Sequence, residues 1–265
     1  MDPRYAFIGL LIGFLIGLTG MGGGSLMTPI MILVMGVKPL IAVGTDLAYG
    51  AVTRIVGGGA HLWQGTVNRR TAYLLCAGSV PASVLGVGLI DSIKRADPGF
   101  VNGFLDRAIA WMLILVAIIL VTKPVLAALT RRNATGGTNW RDRLEARGGR
   151  DMWVLPALGA VVGFLVGLTS VGAGSLIVVS LLFLYPRWQS KDVVGTDVFH
   201  AAILVSASGL AQFAAGNVNV SIMLSLLVGS IPGVLLGSRL AVGFPERALR
   251  LSLAGLLLVS GAKLL

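Results

Sequence analysis

Four long stretches of this chain carry no charge: Tyr5 to Val37, Thr71 to Ile90, Met152 to Pro186 and Val198 to Ser238. About 20 apolar residues cross a bilayer as an α-helix. These runs are too many and too long for the core of a soluble domain. Their pattern predicts five helical segments at 4–19, 25–36, 40–63, 70–90 and 104–122, then five more at 153–168, 175–186, 192–214, 220–241 and 246–264. The first two of each set are expected to be short, because about 15 residues at 1.5 Å each reach only about 22 Å of a roughly 30 Å hydrocarbon layer. The fold class read from this pattern is an all-α polytopic membrane protein.

The two sets of five are copies of one unit. Gly9, Gly13, Phe14, Leu15, Gly17, Leu18 and Thr19 recur 150 positions later as Gly159, Gly163, Phe164, Leu165, Gly167, Leu168 and Thr169. Gly22, Gly24 and Ser25 recur as Gly172, Gly174 and Ser175, and after a one-residue shift Gly44-Thr45-Asp46 recurs as Gly195-Thr196-Asp197. Gly65, Val67 and Asn68 match Gly216, Val218 and Asn219. The expected organisation is a first transmembrane repeat at 1–122, a linker at 123–151 and a second repeat at 152–265. The linker holds seven of the 21 basic residues, which puts it in the cytoplasm.

Sidedness follows from the remaining charges. If each short pair is a hairpin, Arg187, Lys191, Arg239, Arg247 and Arg250 fall on the linker side, and the uncharged turn Gly216 to Ser221 falls outside. The matching turn of the first copy carries Arg69 and Arg70 and is expected inside. The copies are then inverted with respect to each other, as in many secondary transporters.

Composition agrees with the membrane reading. Hydrophobic residues make up 55% of the 265 positions, charged residues 12%, and mean hydropathy is +0.89; soluble domains carry about twice that charge. A net charge of +10 would suit a nucleic-acid partner, but the charges sit in short loops between apolar runs, so none is expected. Cys76 is the one cysteine, which excludes an internal disulfide, and no zinc spacing exists. Arg4 before an apolar stretch also fits a signal peptide. The same pattern recurs near residue 155, however, where none could sit. No cofactor or metal is expected. The expected location is the inner (cytoplasmic) membrane, as a multi-pass protein.

The segment Thr19-Gly20-Met21-Gly22-Gly23-Gly24-Ser25 and its counterpart Thr169-Ser170-Val171-Gly172-Ala173-Gly174-Ser175 interrupt the helices at membrane depth. Each glycine costs a helix about 1 kcal/mol relative to alanine. The helix that restarts after each break offers free N–H groups and a positive dipole end, which together favour an anion. Close helix packing is the other use of such glycines. Gly20-x-Gly22-x-Gly24 with Asp46 beyond it also fits a dinucleotide fingerprint loosely, but that motif needs a strand and a soluble βαβ unit.

Asp46 and Asp197, at the start of the third segment of each copy, are carboxylates placed in predicted membrane segments. Each is a candidate coupling-ion site or a helix N-cap. Asp46, Gly50, Thr53, Gly57, His61 and Gln64 share one helix face; Asp197, Ala201, Leu204, Ser208 and Gln212 share the equivalent one. Arg54 lies beside the first face, with Val205 as its repeat partner. It is either a fixed cation for an anion or an interfacial residue paired with an acid. His61 and His200 are not repeat partners and read as hydrogen-bonded packing residues.

At Gly17 to Ser25 with Val43 to Asp46, and at Gly167 to Ser175 with Val194 to Asp197, the chain resembles the sulfite exporter TauE/SafE family, also called the toluene sulfonate uptake permease family. The resemblance implies a permease for sulfur-containing anions such as sulfite, sulfonates or sulfoacetate. Ser170, Val171 and Ala173 depart from Gly20, Met21 and Gly23, so the two breaks differ chemically. The function expected is secondary transport of such an anion, coupled to protons or sodium. The expected substrate cradle is the backbone at Gly20, Gly22, Gly23, Gly24 and Ser25 and at Gly172, Gly174 and Ser175. Hydroxyls of Thr19, Thr45, Thr169 and Thr196 would add donors, with Arg54 as the cation. The alternatives are an anion channel and a permease for another small oxyanion or carboxylate. An enzyme is not expected, because two scattered histidines and one cysteine supply no nucleophile with its base.

Overall fold

The computed structural model describes residues 3–19, 24–132, 148–185, 188–240 and 246–265. Among them it is helical, with no strand: α1 Pro3–Thr19, α2 Gly24–Leu33, α3 Pro39–Trp63, α4 Arg69–Ala96, α5 Phe100–Arg132, α6 Gly148–Thr169, α7 Ala173–Leu184, α8 Ser190–Ala214, α9 Val220–Leu240 and α10 Glu246–Leu264. Six of these are long and apolar enough to cross a membrane: α3, α4, α5 as far as Thr122, α6 from Asp151, α8 from Lys191, and α9 as far as Gly237.

Local chemistry sets the ends. Pro39 stands at the first turn of α3, where its missing N–H and fixed φ cost nothing. The turns after α3 and α8 contain Gly65 at φ 69° and Gly216 at φ 71°, a left-handed conformation that glycine adopts without penalty. Asn68 then accepts from the Thr71 N–H at 3.0 Å to cap α4, and Asn219 accepts from the Ile222 N–H at 3.1 Å to open α9.

The two copies interlock. The first helix of each packs along the fourth helix of the other, α1 on α9 and α6 on α4, while α3 crosses α8 and α5 packs on α10. Small residues permit the close approach. A Cβ at Gly163 or Gly167 on α6 would overlap the backbone of Ser79 or Ser83 on α4, and one at Gly9 or Gly13 on α1 would overlap Leu226 or Ser230 on α9. These repeated glycines therefore serve packing.

Contact register gives the helix directions. Along α1, Gly9 and Gly13 face Leu226 and Ser230, so α1 and α9 are parallel; along α6, Gly159 and Gly163 face Leu75 and Ser79, so α6 and α4 are parallel. Gly50 faces Val205 and Gly57 faces Val198, so α3 and α8 are antiparallel. Helix α9 follows α8 through the tight turn at Gly216 and runs back beside α3, its Asn219 near Thr45 and its Ile222 and Leu226 clustered with Tyr49. Helices α1 and α3 therefore point the same way, and α2 between them returns. The second copy repeats this: Tyr185, just past α7, donates to Asp151 near the start of α6 at 2.8 Å. Each short pair is a hairpin.

Three expectations change. Helix α6 has 22 residues and is not short, because it starts at Gly148 and not near 153; at 1.5 Å per residue that is about 33 Å. Helix α5 continues to Arg132, so helix enters the proposed linker from both ends, and residues 133–147 lie outside the described residues. Asp46 and Asp197 do not begin their helices: α3 starts at Pro39 and α8 at Ser190, seven residues earlier in each case. Neither is an N-cap.

The outer surface is apolar. Phe7, Val56, Leu85, Trp111, Val161, Leu210 and Leu235 are exposed, and Trp63 (91%) and Trp153 (75%) stand near helix ends. Tryptophans at that height above an apolar band match the aromatic belts of membrane proteins.

Candidate functional site

The crossing of α3 and α8 carries the polar core. Asp46 is 1% exposed, about 10 Å along α3 from its start at 1.5 Å per residue. Its Oδ2 accepts from Thr28 Oγ1 on α2 at 2.5 Å and from Ser170 Oγ, in the break after α6, at 2.9 Å. Its Oδ1 is buried with no hydrogen-bond partner among the described residues. Thr28 and Ser170 were not among the expected site residues. Ser170 was visible in the sequence only as a departure from Gly20, and Thr28 lies in an apolar helix with Val178 as its repeat partner.

The break around Ser170 makes this contact possible. Ser170 holds a left-handed φ of 60°, and Gly172 at φ 94° is the N-cap of α7. The chain turns back within three residues, which aims Ser170 at α3. The Gly172 carbonyl takes the Leu176 N–H at 3.1 Å and the Ser175 hydroxyl at 3.4 Å. The amides of Ala173, Gly174 and Ser175 belong to the first turn and have no intrahelical acceptor. Gly174 and Ser175 are half-buried. A Cβ on Gly174 would stand 3.3 Å from Asp197 Oδ2, so this carboxylate lies against the start of α7. Helix α7 has 12 residues, about 18 Å, which sets its N-terminus well inside the membrane-spanning zone.

Arg54 completes the cluster. It is half-buried, 15 residues into α3, and makes no hydrogen bond or ion pair among the described residues. The charges acting on it are the carboxylates of Asp197, first, and Asp46. A guanidinium at the bilayer centre costs about 3 kcal/mol even on the mildest scales, and the two carboxylates offset that cost. His200 lies within electrostatic reach of Arg54, is fully buried, and shares a 2.8 Å hydrogen bond with Ser79 Oγ; its Nδ1 has no partner among the described residues. His61 bonds Thr66 Oγ1 at 3.0 Å through Nδ1, and its repeat-equivalent Gln212 accepts from Asn217 at 2.7 Å, so that polar pair braces the turn in both copies.

The expected hydroxyl donors are held elsewhere. Thr45 Oγ1 accepts the Asn219 N–H at 3.0 Å and Thr196 Oγ1 accepts the Asn68 N–H at 2.9 Å, each across the repeat boundary. The duplicated Gly-Thr-Asp tripeptide is thus a reciprocal clasp. Gly44 and Gly195 make it fit, because a Cβ at either would overlap Asn217 or Thr66. Thr169 Oγ1 donates to the Leu165 carbonyl at 2.8 Å and accepts the Val171 N–H at 3.3 Å at the end of α6. In the first break, Gly20, Gly22 and Gly23 lie outside the described residues; Thr19 ends α1, Gly24 opens α2, and Ser25 is half-buried.

The arrangement is a half-buried cation under the influence of two carboxylates, beside a helix N-terminus at membrane depth. Arg54 and the start of α7 can engage an anion, and because the three charged side chains together carry −1 when both aspartates are ionised, a proton or cation on a carboxylate would accompany it. Among the described residues no group of histidine, cysteine and carboxylate side chains is placed to hold a metal.

Residues 5–264 match the sulfite exporter TauE/SafE family. The chain is 38% identical over 265 residues, covering all of both chains, to the probable membrane transporter protein YjnA of Bacillus subtilis (strain 168). It is 26% identical over 271 residues, 97% of this chain and 95% of the relative, to the probable membrane transporter protein YunE of the same strain. A probable membrane transporter protein of Xylella fastidiosa (strain Temecula1 / ATCC 700964) is 26% identical, with 88% of this chain and 82% of the relative covered. No solved structure matches. The chain belongs to the sulfite exporter TauE/SafE family of multi-pass membrane transporters.

Proposed function

We propose that this transporter moves a small sulfur-containing anion, such as sulfite, a sulfonate or sulfoacetate, across the inner membrane by secondary transport coupled to protons or sodium. The observation that carries this reading is Arg54: a guanidinium deep in a membrane helix, without a direct partner among the described residues, facing Asp197 and Asp46. Asp197 and Asp46 offset its cost without a direct bond to it, which leaves the guanidinium donors for an anion. The free amides at Gly174 and Ser175 supply donors for oxyanion oxygens. Membership of a family of sulfite exporters supports the sulfur-containing class.

In this reading the two copies are inverted across the bilayer and joined by a cytoplasmic basic linker at 123–151. Support comes from the antiparallel crossing of the repeat partners α3 and α8 and from the hairpin form of the short pairs. An alternating arrangement around the α3–α8 crossing then exposes Arg54 to each side in turn.

The test is uptake by the purified protein in liposomes of labelled sulfite, with isethionate, sulfoacetate, sulfate, phosphate and acetate as competitors. Saturable uptake, inhibited by the sulfur oxyanions and not by acetate, is expected. Flux without saturation would indicate a channel, and selective inhibition by acetate or phosphate would reassign the substrate.

A further inference from the structure

We infer that Asp46 is the proton-binding group of the transport cycle, built jointly by the two copies; the inference rests on the transport reading above. Thr28 and Ser170 both donate to one oxygen, Oδ2. The other oxygen, Oδ1, is fully buried and has no hydrogen-bond partner among the described residues. An ionised carboxylate with one oxygen unsatisfied in a low-dielectric interior is disfavoured. The two hydroxyls engage Oδ2 and leave Oδ1 as the atom that takes a proton from bulk water and returns it on the opposite side, the carboxylate re-forming on release.

The surroundings leave few competing groups. Helix α2 and the break Thr169 to Ser175 carry no titratable residue. On α3 itself the charge acting on Asp46 is Arg54, with Tyr49 alongside. Helix α8 brings Asp197 and His200 towards Arg54. Helix α5 carries Asp106 and Arg107, neither of which acts on Asp46, and α9 has no charged residue before Arg239.

Charge balance then links the proton to the anion. Arg54 with two ionised aspartates leaves a net charge of −1. A monovalent anion beside Arg54 would take this to −2, and a proton on Asp46 restores −1. Anion and proton therefore favour each other's binding. The two aspartates are unequal in this role: at the positions equivalent to Thr28 and Ser170, the other copy has Val178 and Gly20, which carry no hydroxyl. Because Ser170 belongs to the second copy and Asp46 to the first, movement of one copy against the other changes the hydrogen bonds that hold the carboxyl.

Infrared difference spectroscopy of the purified protein in lipid, titrated with acid, reads this directly. A carbonyl-stretch component of a protonated carboxylic acid should be lost in Asp46→Asn and kept in Asp197→Asn. Should Asp46→Asn fail to fold, Thr28→Val and Ser170→Ala should each shift the midpoint of that component, while Ser92→Ala, remote on the exposed end of α4, should not. In liposomes, labelled sulfite uptake by the parent should rise with an inward proton gradient, and Asp46→Asn should lose that response. A component that survives Asp46→Asn, midpoints unmoved in both hydroxyl variants, or uptake that follows a sodium gradient alone would overturn the inference. If no anion is taken up by the parent, the transport reading fails, and the infrared result still decides whether Asp46 binds the proton.

Discussion

At the residue scale, the proposed anion chemistry rests on Arg54 and the start of α7. A charge-assisted hydrogen bond contributes about 1.5–3 kcal/mol, so Arg54→Gln should weaken anion binding roughly tenfold to a hundredfold. Arg54→Lys should restore part of it, because the charge returns without the planar fork. The check is the half-saturation concentration of labelled sulfite uptake; an unchanged value in Arg54→Gln would remove the residue from the site. Gly174→Leu should abolish uptake while leaving the protein inserted, since its side chain would enter the space beside Asp197 Oδ2. Arg54, Asp46 and Asp197 were legible in the sequence because ionisable residues inside long apolar runs stand out. Thr28 and Ser170 were not. A threonine among Met27, Pro29 and Ile30 carries no signal until folding brings Asp46 beside it. Thr45 and Thr196 were legible as a motif but not in their role, because the Asn219 and Asn68 amides they hold lie 174 and 128 residues away.

At the element scale, glycine has two separable uses. On α6 a Cβ at Gly163 would overlap Ser79, whereas at Gly88 on α4 nothing lies within 4 Å. Gly163→Ala should therefore destabilise by about 1–3 kcal/mol through overpacking. Gly88→Ala should be neutral or stabilising by up to about 1 kcal/mol, as alanine replaces glycine in a helix interior. Thermal unfolding in one detergent compares them; equal midpoints would contradict the packing assignment. Helix positions were read well from the apolar runs, and the predicted 40–63 and 246–264 sit within a residue of Pro39–Trp63 and Glu246–Leu264. Helix α6 was read too short because Gly148, Gly149, Arg150 and Asp151 have linker chemistry. Tertiary contact overrides that composition: the buried Asp151 carboxylate is held by Tyr185, which stacks on Trp188 at 4.5 Å. Tyr185→Phe should accordingly loosen the α6–α7 hairpin, seen as faster hydrogen exchange in the first turn of α6 and unchanged exchange in α9.

At the scale of the whole molecule, the account turns on two copies of one unit running in opposite directions. The repeat was plain in the sequence, because glycines and the Gly-Thr-Asp tripeptide recur at a fixed offset. The interlocking of α1 with α9 and of α6 with α4 was not, since one chain's periodicity says which face is buried but not against what. Sidedness depended on whether the short pairs return, and the Tyr185–Asp151 contact resolves that for the second copy. Equivalent turns of the two copies, the exposed Gln64 after α3 and the exposed Ser221 at the start of α9, should then lie on opposite faces of the membrane. The direct measurement uses Gln64→Cys and Ser221→Cys, each in a Cys76→Ser background, labelled with a membrane-impermeant maleimide in intact cells and in inverted vesicles. The account predicts labelling of Ser221→Cys in cells and of Gln64→Cys in inverted vesicles only; labelling of both from the same side would contradict it.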